Sequence, residues 1–144
     1  MKKVIFFLCV FSFVSVSAQK VMKTPKKAIK KLERFKELFK FDEDILTEYP
    51  GISDEIYRPE LTKLINLSAD EFIEIAQKEA PTDKDYQDKI RQGLLRFIDV
   101  YPYINKKDIG QICNYYEELM FIVNLRNSDG LLSKFRHGIE TLRN

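Results

Sequence analysis

The chain has no tryptophan, one histidine and two cysteines among its 144 residues. These shortages exclude whole classes of chemistry. A zinc site needs several His, Cys or carboxylate ligands at fixed spacing. The sequence offers Cys113 and His137 after its first twenty residues, and nothing clusters with either. A di-iron bundle needs paired Glu-x-x-His motifs, and none is present. Glycine occurs five times, in no G-x-S-x-G elbow and in no phosphate-cradling loop. No metal and no cofactor is therefore expected. Alternating β-branched residues are also missing, so no strand pair is predicted. The one long apolar run near the start, Val4 to Val16, falls short of the ~20 residues of a membrane span.

That run belongs to a different pattern. Lys2 and Lys3 precede it, and Val16-Ser17-Ala18 supplies small or tolerated residues before a cut, so residues 1–18 read as a secretory signal peptide. A retained anchor is the alternative. Lipid attachment at Cys9 is rejected, because Phe6-Phe7-Leu8 offers no small residue beside the cysteine. Export to the periplasm or the exterior follows, with residues 19–144 as a single domain carrying the lone Cys113 and hence no internal disulfide. Cys113 lies mid-stripe on an apolar helix face, so a buried thiol is expected.

Basic and acidic residues balance once the leader is removed, which argues against a nucleic-acid partner. Their distribution is uneven. Gln19 to Lys40 holds nine basic and two acidic residues, whereas Phe41 to Asn144 holds thirteen basic and twenty acidic ones. The chain is a basic front end on an acidic body.

Helical periodicity dominates what remains. Asp108 to Val123 is the most apolar long segment of the body. Ile109, Ile112, Cys113, Tyr116, Leu119, Met120 and Val123 form its stripe, so it reads as the central core helix, capped by Asn105 or a neighbour. Thr24-Pro25 signals the start of a basic amphipathic helix over about 25–40, with Ala28, Ile29, Leu32, Phe35, Leu38 and Phe39 on one side and Lys27, Lys30, Lys31 and Arg34 on the other. Arg58-Pro59 opens a second helix to about residue 79. Ser68-Ala69-Asp70-Glu71 is a capping-box pattern inside it, which either restarts the helix after a kink near Leu67 or stays silent. A third helix follows Thr82, with Tyr86, Ile90, Leu94, Phe97 and Tyr101 in line and Gly93 marking close approach of a neighbouring backbone. Asn127 to Gly130 is a turn, and Leu131, Leu132 and Phe135 pack a short last helix. The fold class is all-α, an antiparallel bundle of four to five helices.

Tyr49-Pro50-Gly51-Ile52-Ser53-Asp54, then Arg58-Pro59-Glu60-Leu61-Thr62, then Cys113 to Met120, then Ser128-Asp129-Gly130, together resemble a family of small bacterial proteins catalogued as domain of unknown function 4844. The resemblance covers about Lys31 to Gly138. It implies an all-helical domain and carries no activity or catalytic residues.

Candidate functional residues are few. The cationic row Lys27, Lys30, Lys31 and Arg34 is either a solvated face or a contact for an anionic membrane surface or a partner's groove. Glu117 lies at the edge of the central stripe, either as a perturbed carboxylate or as half of an ion pair. Phe121 falls on the polar side of its helix, to be covered by Leu131–Phe135 or left as an exposed contact. Asp42-Glu43-Asp44 lacks the spacing of a calcium loop. The expected function is non-catalytic binding of a protein or envelope component. The alternatives are a carboxylate-dependent hydrolase using Glu117 or Glu60 and reversible attachment to anionic membrane through the first helix.

Overall fold

The computed structural model describes residues 19–143. The expected signal peptide, residues 1–18, lies outside them. Five α-helices account for the regular structure: α1 (Ala28–Glu37), α2 (Arg58–Ala76), α3 (Asp83–Leu95), α4 (Lys106–Val123) and α5 (Leu131–His137), with short 3-10 turns at Glu55–Tyr57, Tyr101–Tyr103 and Ile139–Arg143. No β-strand occurs among the described residues; backbone pairing outside the helices is confined to two isolated bridges, Val21 with Thr82 and Asp44 with Tyr49. The all-helical expectation holds, and none of the described helices is long and apolar enough to cross a membrane.

Two helices share the centre. α4 packs against α1, α2 and α5, while α2 packs against α1, α3 and α4. The apolar stripe of α4 is buried as its spacing demands, including Ile112, Cys113, Tyr116 and Leu119. Its start is closed by a reciprocal cap. Asn105 Oδ1 accepts from the Asp108 amide at 2.9 Å, and Asp108 Oδ2 accepts from the Asn105 amide at 3.4 Å. Its end turns through Asn124 in the left-handed region (φ 64°), where the Leu125 amide reaches back to the Met120 carbonyl at 2.9 Å.

Three boundaries depart from the sequence reading and one alternative it left open is settled, each for a physical reason. Thr24 does not cap α1; its hydroxyl meets the Tyr86 hydroxyl at 3.4 Å, and the helix begins at Ala28 after a turn in which the Ala28 amide bonds the Pro25 carbonyl. α1 stops at Glu37 because Lys40 folds back on it, its ammonium donating to the carbonyls of Phe35 and, at 2.9 Å, Leu38. α2 runs unbroken through Ser68, whose hydroxyl bonds the Leu64 carbonyl one turn earlier and the Tyr116 hydroxyl of α4 at 2.6 Å, so the capping-box pattern is silent. α3 ends at Leu95 rather than near Tyr101. Tighter i→i+3 turns follow, such as Phe97 amide to Leu94 carbonyl at 3.2 Å, and they bring the Phe97 ring to 5.9 Å from that of Phe135.

Gly93 marks a close approach, though of side chains and not of backbone. A Cβ there would sit 2.3 Å from the Tyr116 hydroxyl and 2.6 Å from the Ser68 hydroxyl. Three helices therefore meet at one hydroxyl pair, and glycine is the residue that leaves room for it.

Candidate functional site

The first candidate surface is α1. Ala28, Leu32 and Phe35 are buried against the bundle, each large side chain contributing about 2 kcal/mol of transfer free energy. Lys27, Lys30, Lys31 and Arg34 are exposed on the other side, and none forms an ion pair with a described residue. Lys36, one turn on, is different: it bridges Glu33 at 3.2 Å and Asp70 of α2 at 2.6 Å. The apolar face of α1 is thus spent on packing apart from Ile29, 37% exposed, while Leu38 and Phe39 lie past the helix end and stay 50% and 72% exposed instead of joining that face; the unneutralised charge faces outward.

The second candidate region is the long connection from Leu38 to Asp54, which is pinned at several points. Lys40 is buried with its ammonium 4.2 Å from the centre of the Phe35 ring, and burial pushes its pKa down, opposed by the nearby Glu118 carboxylate. Arg58 grips the same corner, donating to the Lys40 carbonyl at 2.5 Å while holding Glu55 through two nitrogens. Phe41 adopts φ 61°, a conformation unfavourable for a side chain of its size. It is held there by its amide, which donates to the Tyr115 hydroxyl at 2.6 Å, and by its ring, edge-on to Tyr115 at 5.1 Å. Gly51 (φ 89°) then turns the chain toward α4.

The far end of this connection is anchored on Asp108. This carboxylate is fully buried, and no described cation pairs with it. Hydrogen bonds take the place of a counter-charge. Oδ1 accepts from the Tyr49 hydroxyl at 2.7 Å and the Ser53 amide at 3.3 Å; Oδ2 accepts from the Ser53 hydroxyl as well as the Asn105 amide. Its place in the first turn of α4 adds the favourable end of the helix dipole. Burial and the bond to Asp108 together push the Tyr49 phenol well above its ordinary pKa. Neither Asp108 nor Lys40 stands out in the sequence. The Asn105-x-x-Asp108 spacing was the available signal for the former, and nothing local signals that Tyr49 and Ser53 converge on it.

Between the pinned connection and α4 runs a groove. One hollow of about 260 Å³ is lined by Thr47, Glu48, Tyr49, Lys107, Gly110, Gln111 and Asn114. A second of about 370 Å³ shares Thr47, Gln111 and Asn114 and adds Phe39, Asp42, Glu43, Asp44, Tyr115 and Glu118. Ile45 and Leu46 stand at the tip of the neighbouring turn, 85% and 96% exposed.

The remaining candidates stay apart. Glu117 is exposed and pairs with Arg136 of α5 at 3.1 Å, the ion-pair alternative. It lines a hollow with Met120, Phe121, Asn124, Leu125 and Arg126, among which no second carboxylate occurs. Phe121 is 80% exposed, so the coverage expected from Leu131–Phe135 does not occur. α5 spends its apolar side elsewhere, with the Phe135 ring against Phe97 and Tyr101. Cys113 is buried beside the Leu132 carbonyl, and burial pushes its thiol up to about 11. His137 is exposed and donates from Nδ1 to the Ser133 carbonyl at 2.7 Å. Each is held by a different carbonyl, and no Cys–His pair forms. No group of three or more His, Cys, Asp or Glu side chains suited to a metal ion exists among the described residues.

Residues 23–140 match the family described as Domain of unknown function (DUF4844). Among solved structures, the chain is similar to a DUF3571 family protein from Acinetobacter baumannii AYE, with 26% identity and a TM-score of 0.70, over 81% of this chain and 93% of that one. No curated protein matches.

Proposed function

The chain belongs to the DUF4844 family, and from that premise we propose that it is an exported, non-catalytic binding module of the cell envelope whose contact for an anionic partner is the outer face of α1. The observation that carries this reading is the row Lys27, Lys30, Lys31 and Arg34, exposed and without ion pairs on a helix whose apolar face is already consumed. Four uncompensated charges along one short helix form a field that steers acidic surfaces toward it. The spent apolar face favours a protein or polyanionic envelope component over insertion into lipid, because an interfacial helix must bury that face in the bilayer.

The hydrolase alternative draws less support. Glu117 is engaged by Arg136, its hollow offers no second carboxylate, and Glu60 is exposed in the first turn of α2.

Retention from a cell-envelope extract tests the proposal, comparing the purified protein with a variant carrying Lys27→Gln, Lys30→Gln, Lys31→Gln and Arg34→Gln. A defined protein retained by the first and lost by the second is expected. Retention unaffected by the four changes overturns it. Salt-sensitive binding to phosphatidylglycerol vesicles, with no protein retained, transfers the role of this face to the membrane.

A further inference from the structure

We infer that the cationic row of α1 is one half of a docking site whose other half is an apolar hollow just past the end of that helix, and that the occupant is an acidic segment of a partner protein with an apolar side chain at one end. The inference rests on the reading of α1 given above and adds the chemistry of the partner.

The hollow measures about 390 Å³ and has Leu38, Phe39 and Pro59 as its apolar walls. Both residues that leave α1 stay exposed there, although each has a large apolar side chain to bury. Their surroundings are fixed in advance. The Arg58 guanidinium lies 4.9 Å from the centre of the Phe39 ring, and it is itself held by Glu55 and by the Lys40 carbonyl. The Lys40 ammonium holds the Leu38 carbonyl at 2.9 Å. An apolar surface braced in this way loses little freedom when something docks on it.

The hollow continues the row. Glu37 lines it and lies three residues after Arg34, on the neighbouring turn of α1. Charge differs sharply along this path. Lys27, Lys30, Lys31 and Arg34 have no described counter-charge, whereas Arg58 is already paired with Glu55. Glu37 is exposed and unpaired among the described residues, a single negative charge at the rim. Carboxylates along the row and a neutral apolar side chain in the hollow meet all three conditions. An acidic residue carried on to the hollow would face Glu37.

Two other occupants fit less well. An anionic bilayer touching both Arg34 and Phe39 would press Glu37 against a like-charged surface, and a concavity calls for a projecting side chain. A second copy offers Asp42-Glu43-Asp44 followed by the exposed Ile45 and Leu46. That stretch is a closed turn, with Asp44 bridged to Tyr49, and Glu48 would accompany Leu46 toward Glu37. The row and hollow together extend about 15 Å along α1, which an extended segment of about five residues covers and a closed turn does not.

Fluorescence anisotropy of the purified protein tests this with labelled, end-capped peptides of alternating glutamate and alanine. A leucine pair is added at either end in separate probes, and serine pairs replace it in the controls. One leucine probe should bind about tenfold more tightly than its serine control. Phe39→Ser should abolish that preference and leave the serine control within twofold. Ile45→Ser, equally exposed but outside this hollow, should change neither. Leu38→Ser replaces Phe39→Ser if the latter fails to fold by circular dichroism. The four changes Lys27→Gln, Lys30→Gln, Lys31→Gln and Arg34→Gln should weaken both peptides about tenfold. Equal binding of leucine and serine peptides, sensitive to the four changes, overturns the hollow and leaves the reading of α1 standing. Binding that ignores the four changes overturns both. An equal loss in Phe39→Ser and Ile45→Ser would mean general apolar adhesion and overturns the inference. So does absence of peptide binding, with the retention experiment above deciding the role of α1 by itself. Phosphatidylglycerol vesicles bound through Phe39 in place of peptide assign the site to the membrane and overturn the partner; a dimer that the leucine peptide dissociates assigns it to a second copy and does the same.

Discussion

Asp108 is the residue on which the most distant parts of the chain agree. It accepts hydrogen bonds from Tyr49 and Ser53, more than fifty positions away, and closes the cap of its own helix. Asp108→Ala leaves those buried donors without acceptors, and a loss of about 3 kcal/mol is expected, read as a lowered midpoint in urea denaturation. Asp108→Asn keeps one carbonyl oxygen in place and should lose less. Little of this was legible in the sequence. The stripe around Cys113 announced a buried thiol, because one helix face suffices to say so. The role of Asp108 depends on partners that reach it only through the tertiary fold, and a carboxylate at the third position of a helix ordinarily means no more than a cap. Phe121 misled in the opposite direction. Its position on the polar side invited a cover, and α5 turned its apolar side to Phe97 and Tyr101 instead.

Helices were the most readable level, since periodicity reports directly which side of each is buried. Their ends were less so. Thr24 gave a local signal that a contact from elsewhere in the chain overrode, Tyr86 taking its hydroxyl, and α1 stopped short because Lys40, which carries no such signal, turns back onto the Phe35 and Leu38 carbonyls. At the crossing of α2, α3 and α4, Gly93 faces the hydroxyls of Ser68 and Tyr116. Gly93→Ala gains about 1 kcal/mol of helix propensity but forces a Cβ to within 2.3 Å of the Tyr116 oxygen. Overpacking of that kind costs about 1–3 kcal/mol, so a net drop in melting temperature is expected. Adding Tyr116→Phe removes the oxygen and should recover part of the loss. A full recovery would show that the Ser68 contact carries no strain.

The whole molecule has a direction of pH sensitivity. Burial raises the pKa of Tyr49, Tyr86, Tyr101 and Tyr116, and holds the Cys113 thiol at about 11. A group whose folded pKa exceeds its unfolded one contributes stability below the unfolded value and loses it as pH rises through the folded one. Lys40, pushed down by burial, works the other way, against these five groups and Lys36, which its bonds to Asp70 and Glu33 raise. Melting temperature should therefore be flat near neutrality and fall above pH ~9, where unfolded cysteine and then tyrosine begin to ionise. Cys113→Ala should delay the onset of that fall; an onset unmoved by it would assign the loss to the tyrosines. At this scale the sequence showed the uneven distribution of charge but not the groove, because Thr47 and Gln111 become neighbours only when the connection is pinned. That pinning also makes the covalent bond at its tip dispensable. Ile45-Leu46 stands clear of the body, while α1, Lys40 and Phe41 grip it on one side of the tip and Tyr49 and Ser53 on the other. A protease that clips the chain after Leu46 should produce two fragments on a denaturing gel and one particle on a sizing column, a cut molecule held in one piece by contacts alone.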